Sequence, residues 1–246
     1  LRDNPSSDDL HNPDDWSKRC REDFRRTAAA LLKLAETGDW FSRRWAQALY
    51  AWSNDELVNR SWCVVQAVAV MPAEPFSDAL HAISWWVSQN SKSVSRFEEE
   101  FFVLLDRMIE TGSNDDNAID DFSLNHAINH PIGQAAESLL NWWFSQEPED
   151  NQRLPVQISE PFGRMCVSEN HTLRLGAVVL AQQVIPLLRV DPAWTKENLL
   201  PAFHWNNAPD TAVAMWDSFL HAPRIYWPLL QELKVPFLEI SSHLPE

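Results

Sequence analysis

The sequence predicts an all-α fold, built as an α-solenoid-like stack of about a dozen helices in HEAT-like hairpins. Three observations lead to this prediction. Apolar residues recur at steps of three and four along most of the chain, which is the period of one helical face. The sixteen prolines lie mostly at the ends of these runs, where short turns join helices. The five glycines stand singly, which excludes the glycine-rich loops that cradle phosphates.

The N-terminal half is predicted to contain five helices. The first extends over 13–37 and stops at Gly38, because glycine adopts the left-handed conformation that ends a helix without strain. Asp39 is expected to cap the second, since its carboxylate accepts from free backbone N–H groups. The third contains valines that also leave a strand open, although its length and caps favour a helix. The third, fourth and fifth helices are predicted to begin near Asn54, Ser77 and Val94.

The clearest helix lies in the segment 125–146. The dipeptide His130-Pro131 indicates its start, because proline fixes φ near the helical value and lacks an N–H that would have no partner. We expect His130 to help cap this helix. The aromatic residues 142–144 follow one another and point in several directions, so the helix is predicted to be covered on more than one side.

The same helix has an internal counterpart earlier in the chain. Residues 79–89 (ALHAISWWVSQ) align with residues 136–146 (AESLLNWWFSQ), and the Ala, both Trp, the Ser and the Gln coincide. Units that cannot bury their own apolar face stack on similar neighbours, which is the usual origin of such repetition.

Further helices are predicted in the C-terminal half. One covers 155–168. Residues 170–204 resemble a HEAT-type pair, in which a helix ending near Val184 is followed by a second that begins at Asp191-Pro192. Shorter helices near 210–221 and 226–234 precede a proline-bounded tail.

Polar segments divide the chain into parts. We predict a frayed start at 1–12, an N-terminal helical half at 13–110, an acidic loop or hinge at 111–121 and a C-terminal helical half at 122–246. The first residue is leucine, which suggests that the sequence is a piece of a longer protein.

The charge distribution limits the classes of partner. The formal net charge is −15, and residues 1–60 are nearly neutral, so the rest of the chain is strongly acidic. Because nucleic-acid binding depends on Lys and Arg that displace counterions, we expect no nucleic-acid partner. The basic cluster at 18–26 is interpreted as the solvated face of a helix. Three scattered cysteines, and no signal or long apolar span, predict a cytoplasmic protein without a membrane segment.

Two constellations could carry metal chemistry. His126 and His130 are spaced i, i+4, and Asp121 or Glu137 could complete a zinc site, which leaves a metal-dependent hydrolase on a helical bundle as the alternative function. The acidic loop offers oxygens for calcium from 114 to 121, but it lacks the order of an EF-hand. The run Glu98-Glu99-Glu100 is interpreted as a solvated helix face. We therefore predict no catalytic residue, no cofactor and no metal.

Tryptophan is unusually frequent, with thirteen residues in the chain. Most are expected in the core. Four recur every eleven residues, and tryptophans exposed on a concave face would anchor a protein interface. Together with acidic positions, the predicted interaction surface consists of Trp194, Trp205, Trp216, Trp227, Glu98, Glu99, Asp115 and Asp116.

One stretch resembles a known group of proteins. The residues Asn129-His130-Pro131-Ile132-Gly133, then Ala135-Ala136-Glu137 and a helix that contains tryptophan, resemble a segment of the helical regions that follow sirtuin-like NAD-hydrolysing domains in bacterial anti-phage defence proteins. The resemblance implies a C-terminal sensor or scaffold that regulates an effector elsewhere. Its partner would be the effector domain of the parent chain or a phage protein. The oligomeric state is left open, and no sirtuin motif is present.

Overall fold

A computed structural model describes residues 13–54, 56–94, 97–114, 122–206 and 208–243. These residues form helices joined by turns, with no strand among them, so the all-α prediction is confirmed. The chain divides into two compact units, Leu1–Leu104 and Leu105–Glu246. The division falls inside a helix, a few residues before the predicted hinge at 111–121, and most of that hinge lies outside the described residues.

The first unit contains short helices around a core of tryptophans. In chain order they are α1 (Pro13–Glu22), α2 (Phe24–Glu36), α3 (Ser42–Trp52), α4 (Val58–Ser61), α5 (Val65–Ala69), α6 (Ala73–Asp78), α7 (Leu80–Asn90) and α8, which begins at Glu98 and extends to Ser113. The indoles of Trp45, Trp52 and Trp86 are fully buried. Trp86 Nε1 donates to Ser61 Oγ at 2.7 Å, and Trp52 Nε1 donates to the carbonyl of Cys20 at 3.1 Å.

Several predicted helices of this unit are broken. The helix predicted over 13–37 is two helices, because Asp23 leaves the helical conformation and its side chain caps α2 by accepting from the N–H of Arg26. The third predicted helix passes through a 3₁₀ turn at Trp62–Val64 between α4 and α5, and no strand forms there. The fourth begins at Leu80 as α7, after a separate helix α6 that ends at Asp78, and the fifth begins at Glu98 rather than at Val94.

The second unit is built on a pair of buried helices. Its helices are α9 (Leu124–Asn129), α10 (Pro131–Ser145), α11 (Val156–Val167), α12 (His171–Ala181), α13 (Val184–Val190), α14 (Pro192–Trp194), α15 (Pro209–Leu220), α16 (Trp227–Glu232) and α17 (Lys234–His243). Helices α10 and α12 pack against each other, and α10 is buried on several sides as predicted. The tail predicted after 234 is wrong, since α17 forms there with Pro236 in its first turn, where proline is tolerated.

The predicted start of α10 is confirmed. His130 is extended (φ −86°, ψ 144°), as the residue before a proline prefers, and its Nδ1 accepts from the N–H of Ile132 at 3.2 Å. The predicted start at Asp191-Pro192 is confirmed as well, because the Asp191 carboxylate accepts from the N–H of Trp194 at 3.0 Å. The helix predicted to end near Val184 is α12, which ends at Ala181, and α13 is bent from α12 by 82°. The HEAT-like stacking therefore stays a prediction.

The two segments of the predicted repeat form one buried helix in each unit. Trp86 in α7 and Trp143 in α10 occupy equivalent positions, and both are fully buried. Their neighbours differ, since Trp85 is exposed and Trp142 is buried. Of the shared residues, the Ala and the second Trp are therefore core positions in both segments, whereas the Gln is exposed in both.

Among the helices that the structure describes, none taken singly has the length and apolar character that a membrane span requires. The bent pair α12 and α13 has them only when its two helices are counted together.

Candidate functional site

A groove of about 440 Å³ lies on the second unit. Its walls come from α15, from α17 through Ile240, and from Phe122 and Ser123, which lead into α9. Its lining is mostly apolar, and two carboxylates, Asp210 and Asp217, stand along one side. An apolar concavity with few polar groups is the usual form of a recognition site.

Two tryptophans form the floor of the groove and are held rigidly. Trp205 is 4% exposed, and its Nε1 donates to the carbonyl of Pro236 at 2.7 Å. Trp216 is 3% exposed, and its Nε1 donates to the carbonyl of Phe203 at 3.0 Å. The ring of Phe237 lies 5.8 Å from that of Trp216. Because these contacts join α17 to α15, the floor is preformed rather than created by a ligand.

Helix α15 supplies the exposed side of the groove. Its outer face carries Asp210, Val213, Asp217 and Leu220, at successive steps of three, four and three residues. Val213 is 44% exposed and Leu220 is 40% exposed, although both are apolar. The opposite face is buried, and Ser218 Oγ donates to the carbonyl of Val178 at 2.6 Å, which fixes α15 against α12. The outer face is therefore held in place but left uncovered.

The two carboxylates of this face make no ion pair with any residue that the structure describes. Within the described ranges, neither Asp210 nor Asp217 makes an ion pair or a side-chain hydrogen bond with another residue. They stand seven residues apart, two turns along α15. An unpaired carboxylate beside an apolar groove is available to a cation from outside the chain.

Two smaller cavities, of about 370 and 290 Å³, share an ion pair between Lys196 and Glu232. The pair is 2.6 Å long, and a second pair, between Arg189 and Asp150, is 2.9 Å long. All four side chains are substantially exposed. Such surface pairs contribute about 0–1 kcal/mol and already satisfy each other, so these cavities are weaker candidates than the groove.

The four tryptophans of the predicted interaction surface differ in exposure. Trp205 and Trp216 are buried at the floor of the groove, so these two do not meet the condition of exposure that the predicted anchors require. Trp194 is half-buried against Phe162, with ring centroids 6.2 Å apart, while Trp227 is 68% exposed at the start of α16. A spacing of eleven makes a stripe only on a continuous helix, and the turns between α14, α15 and α16 interrupt it.

The acidic positions of that prediction divide in the same way. Glu98 and Glu99 are exposed in the first turn of α8, as a solvated face requires. Asp115 and Asp116 lie outside the described residues, as do Asp120 and Asp121 of the acidic loop that was considered for calcium.

The two histidines considered for zinc do lie close together. Their ring centroids are 5.8 Å apart, but Nδ1 of His130 already accepts from the backbone, which leaves it unavailable to a metal. Across the residues that the structure describes, no three or more His, Cys, Asp or Glu side chains converge as metal ligands would. Asp121, one of the two carboxylates that could complete the zinc site, lies outside the described residues, so the hydrolase alternative stays a prediction.

All three cysteines are free thiols. Burial raises the pKa of the Cys20 thiol to about 11 and also raises that of Cys166. Because the thiolate is the nucleophile, these two side chains are held in their unreactive form at neutral pH.

Comparison with known proteins gives no relative. The chain matches no family model, no curated protein and no solved structure.

The residues that sequence reasoning missed are Val213, Asp217 and Leu220. A signal for them was present, because a carboxylate and an apolar residue alternate at helical steps from 210 to 220. The regular spacing of the nearby tryptophans drew attention to side chains that the fold buries.

Proposed function

We propose that this chain is a non-catalytic helical module that acts by binding a segment of another polypeptide in the groove beside α15. The observation that carries the proposal is the exposure of Val213 and Leu220 beside a preformed apolar floor. An exposed apolar face next to a concavity is typical of a binding surface. Grooves of this kind hold one apolar side of a peptide helix through anchors three, four and seven residues apart.

The proposed setting is a larger cytoplasmic bacterial anti-phage defence protein, in which the module serves as sensor or scaffold. The partner is the effector domain of that larger protein or a phage protein. The resemblance at 129–137 supports this setting. Two residues of that motif also have local roles, since His130 caps α10 and Gly133 allows a close approach to Ala127.

The proposal is tested by selecting random 16-residue displayed peptides on the purified chain. The groove is altered with V213Q/L220Q, which removes the exposed apolar side chains without adding charge and keeps good helix formers. The control is V156Q/V167Q, which makes the same kind of change at exposed valines of α11.

We expect enriched peptides to bind the unsubstituted chain, called the parent chain from here on, and the control with equal affinity. They should bind V213Q/L220Q at least about tenfold more weakly. Equal binding to all three chains, or no enrichment over a blank surface, contradicts the proposal. Melting curves of each variant establish that the fold is retained.

A further inference from the structure

The geometry points to the identity of the occupant: an amphipathic helix whose apolar side is flanked by Lys or Arg residues seven positions apart. This inference rests on the proposed function and names the chemistry of its partner.

The spacing along α15 sets the register of the occupant. Asp210 and Asp217 are seven residues apart, and so are Val213 and Leu220. Seven residues of helix span about 10.5 Å. A second helix laid along α15 presents its own residues at the same rise, so it meets this face best with apolar residues seven apart and cations seven apart. Helix α15 has twelve residues, which matches a partner of about three turns.

Charge selects a basic partner. The two carboxylates of the face make no ion pair among the residues described in the structure, and residues 61–246 carry twenty-four acidic against ten basic residues. Such a surface attracts cationic segments and repels phosphate backbones and anionic lipid headgroups. A Lys or Arg at the rim would pair with Asp217 while its aliphatic stem covers Leu220.

A second copy of this chain fits the same face poorly. In an antiparallel pairing about the middle of α15, Asp210 lies opposite Leu220, and Asp217 lies opposite Val213. Each carboxylate would then lose water against an apolar side chain, which is unfavourable. In a parallel pairing, carboxylate lies opposite carboxylate, which is repulsive. A basic helix satisfies both the charged and the apolar positions.

The experiment compares peptide selections on the parent chain and on Asp217→Lys. We expect the parent chain to enrich peptides with Lys or Arg seven positions apart beside apolar residues. Peptides selected on D217K should carry Asp or Glu in place of one of the two basic residues. A peptide selected on the parent chain should bind D217K at least about tenfold more weakly than it binds the parent chain. E160K, at an exposed glutamate of α11, is the matched control and should leave both results unchanged.

A second variant, D210N/D217N, removes the charges without reversing them. It should abolish the preference for peptides with basic residues, whereas adding V213Q/L220Q should still weaken peptide binding. The inference is overturned if the selected peptides need Val213 and Leu220 for binding but carry the same charges whether they were selected on the parent chain or on D217K. That result would leave the proposed function standing.

Other occupants are separated by two further measurements. In sedimentation experiments the parent chain should not self-associate through this face, so V213Q/L220Q should leave its oligomeric state unchanged. Vesicles with anionic lipids should not bind the parent chain through this face. A dimer or vesicle binding that this variant abolishes would overturn the inference in favour of a second copy or a membrane. If no peptide depends on Val213 and Leu220, the proposed function itself fails.

Discussion

The carbonyl oxygen of Ala127, the residue where α9 begins its last turn, stands in the space that a β-carbon on Gly133 would occupy. Only a glycine allows α10 to pass so close to the end of α9. His130 lies between them and caps α10. The junction that begins the central helix of the second unit thus depends on the sequence His130-Pro131-Ile132-Gly133.

Gly133→Ala should destabilise the second unit by about 3 kcal/mol, because the added methyl group overlaps backbone that cannot move aside as a flexible side chain would. Urea unfolding followed by tryptophan fluorescence measures this change. Gly163→Ala is the control, since a β-carbon there meets only Asn198 Oδ1 at 3.8 Å. It should stabilise α11 by about 0.5–1 kcal/mol. Equal effects of the two substitutions would contradict the close approach.

Ser61→Ala should destabilise the first unit by about 1–3 kcal/mol. The Ser61 hydroxyl accepts from Trp86 Nε1 and donates to the carbonyl of Val58 at 2.7 Å, and both partners would lose their bonds. Ser145→Ala removes an exposed hydroxyl that bonds within its own helix, so it should change the free energy of unfolding by less than about 0.5 kcal/mol. If S61A lowers the free energy of unfolding no more than S145A does, that result would argue against the buried hydrogen bond between Trp86 and Ser61.

Trp216→Phe and Trp227→Phe should have different effects. The first removes the donor to Phe203 and leaves space at the groove floor, which should lower the free energy of unfolding by about 1–3 kcal/mol. The second changes an exposed ring and should alter stability by less than about 0.5 kcal/mol. Quenching of tryptophan fluorescence by acrylamide should decrease, relative to the unsubstituted chain, in W227F but not in W216F. Similar melting points for both variants would contradict the burial of Trp216.

Thiol reactivity should distinguish the three cysteines. Cys63 is exposed and should react rapidly with a thiol reagent at pH 8, whereas the buried Cys20 should react only as fast as the chain opens. Cys166 is half-buried and should react more slowly than Cys63, because burial raises the pKa of its thiol. Burial raises the pKa of Cys20 from 9.0 to about 11, so the folded state holds this proton more tightly than the unfolded chain. The stability it contributes is fully present below pH 9 and is lost as pH rises towards 11. Three equal reaction rates would contradict this assignment.

The sequence predicted those features that depend on local chemistry. The start of α10 followed from His130-Pro131, and the start of α14 followed from Asp191-Pro192, because proline and a capping side chain act within one turn. The break at Asp23 was missed, since the apolar stripe continues across it and periodicity alone does not reveal a cap inside a stripe.

The fate of the tryptophans could not be predicted from spacing. Trp205 is buried because its N–H meets the carbonyl of Pro236, thirty-one residues along the chain, and no local pattern contains that contact. The groove was missed for the same reason, since its walls come from α15, α17 and the residues before α9, which only tertiary packing brings together.

The central claim is that Asp217 and its apolar neighbours bind a basic helix, and a double-mutant cycle tests it most directly. The dissociation constants of one selected peptide are measured with the parent chain and with D217N, each with the peptide's facing basic residue intact or replaced by Gln. We predict a coupling free energy of about 0.5–1 kcal/mol, with V213Q/L220Q weakening binding at least about tenfold. A coupling of zero, with binding unaffected by V213Q/L220Q, would contradict the claim.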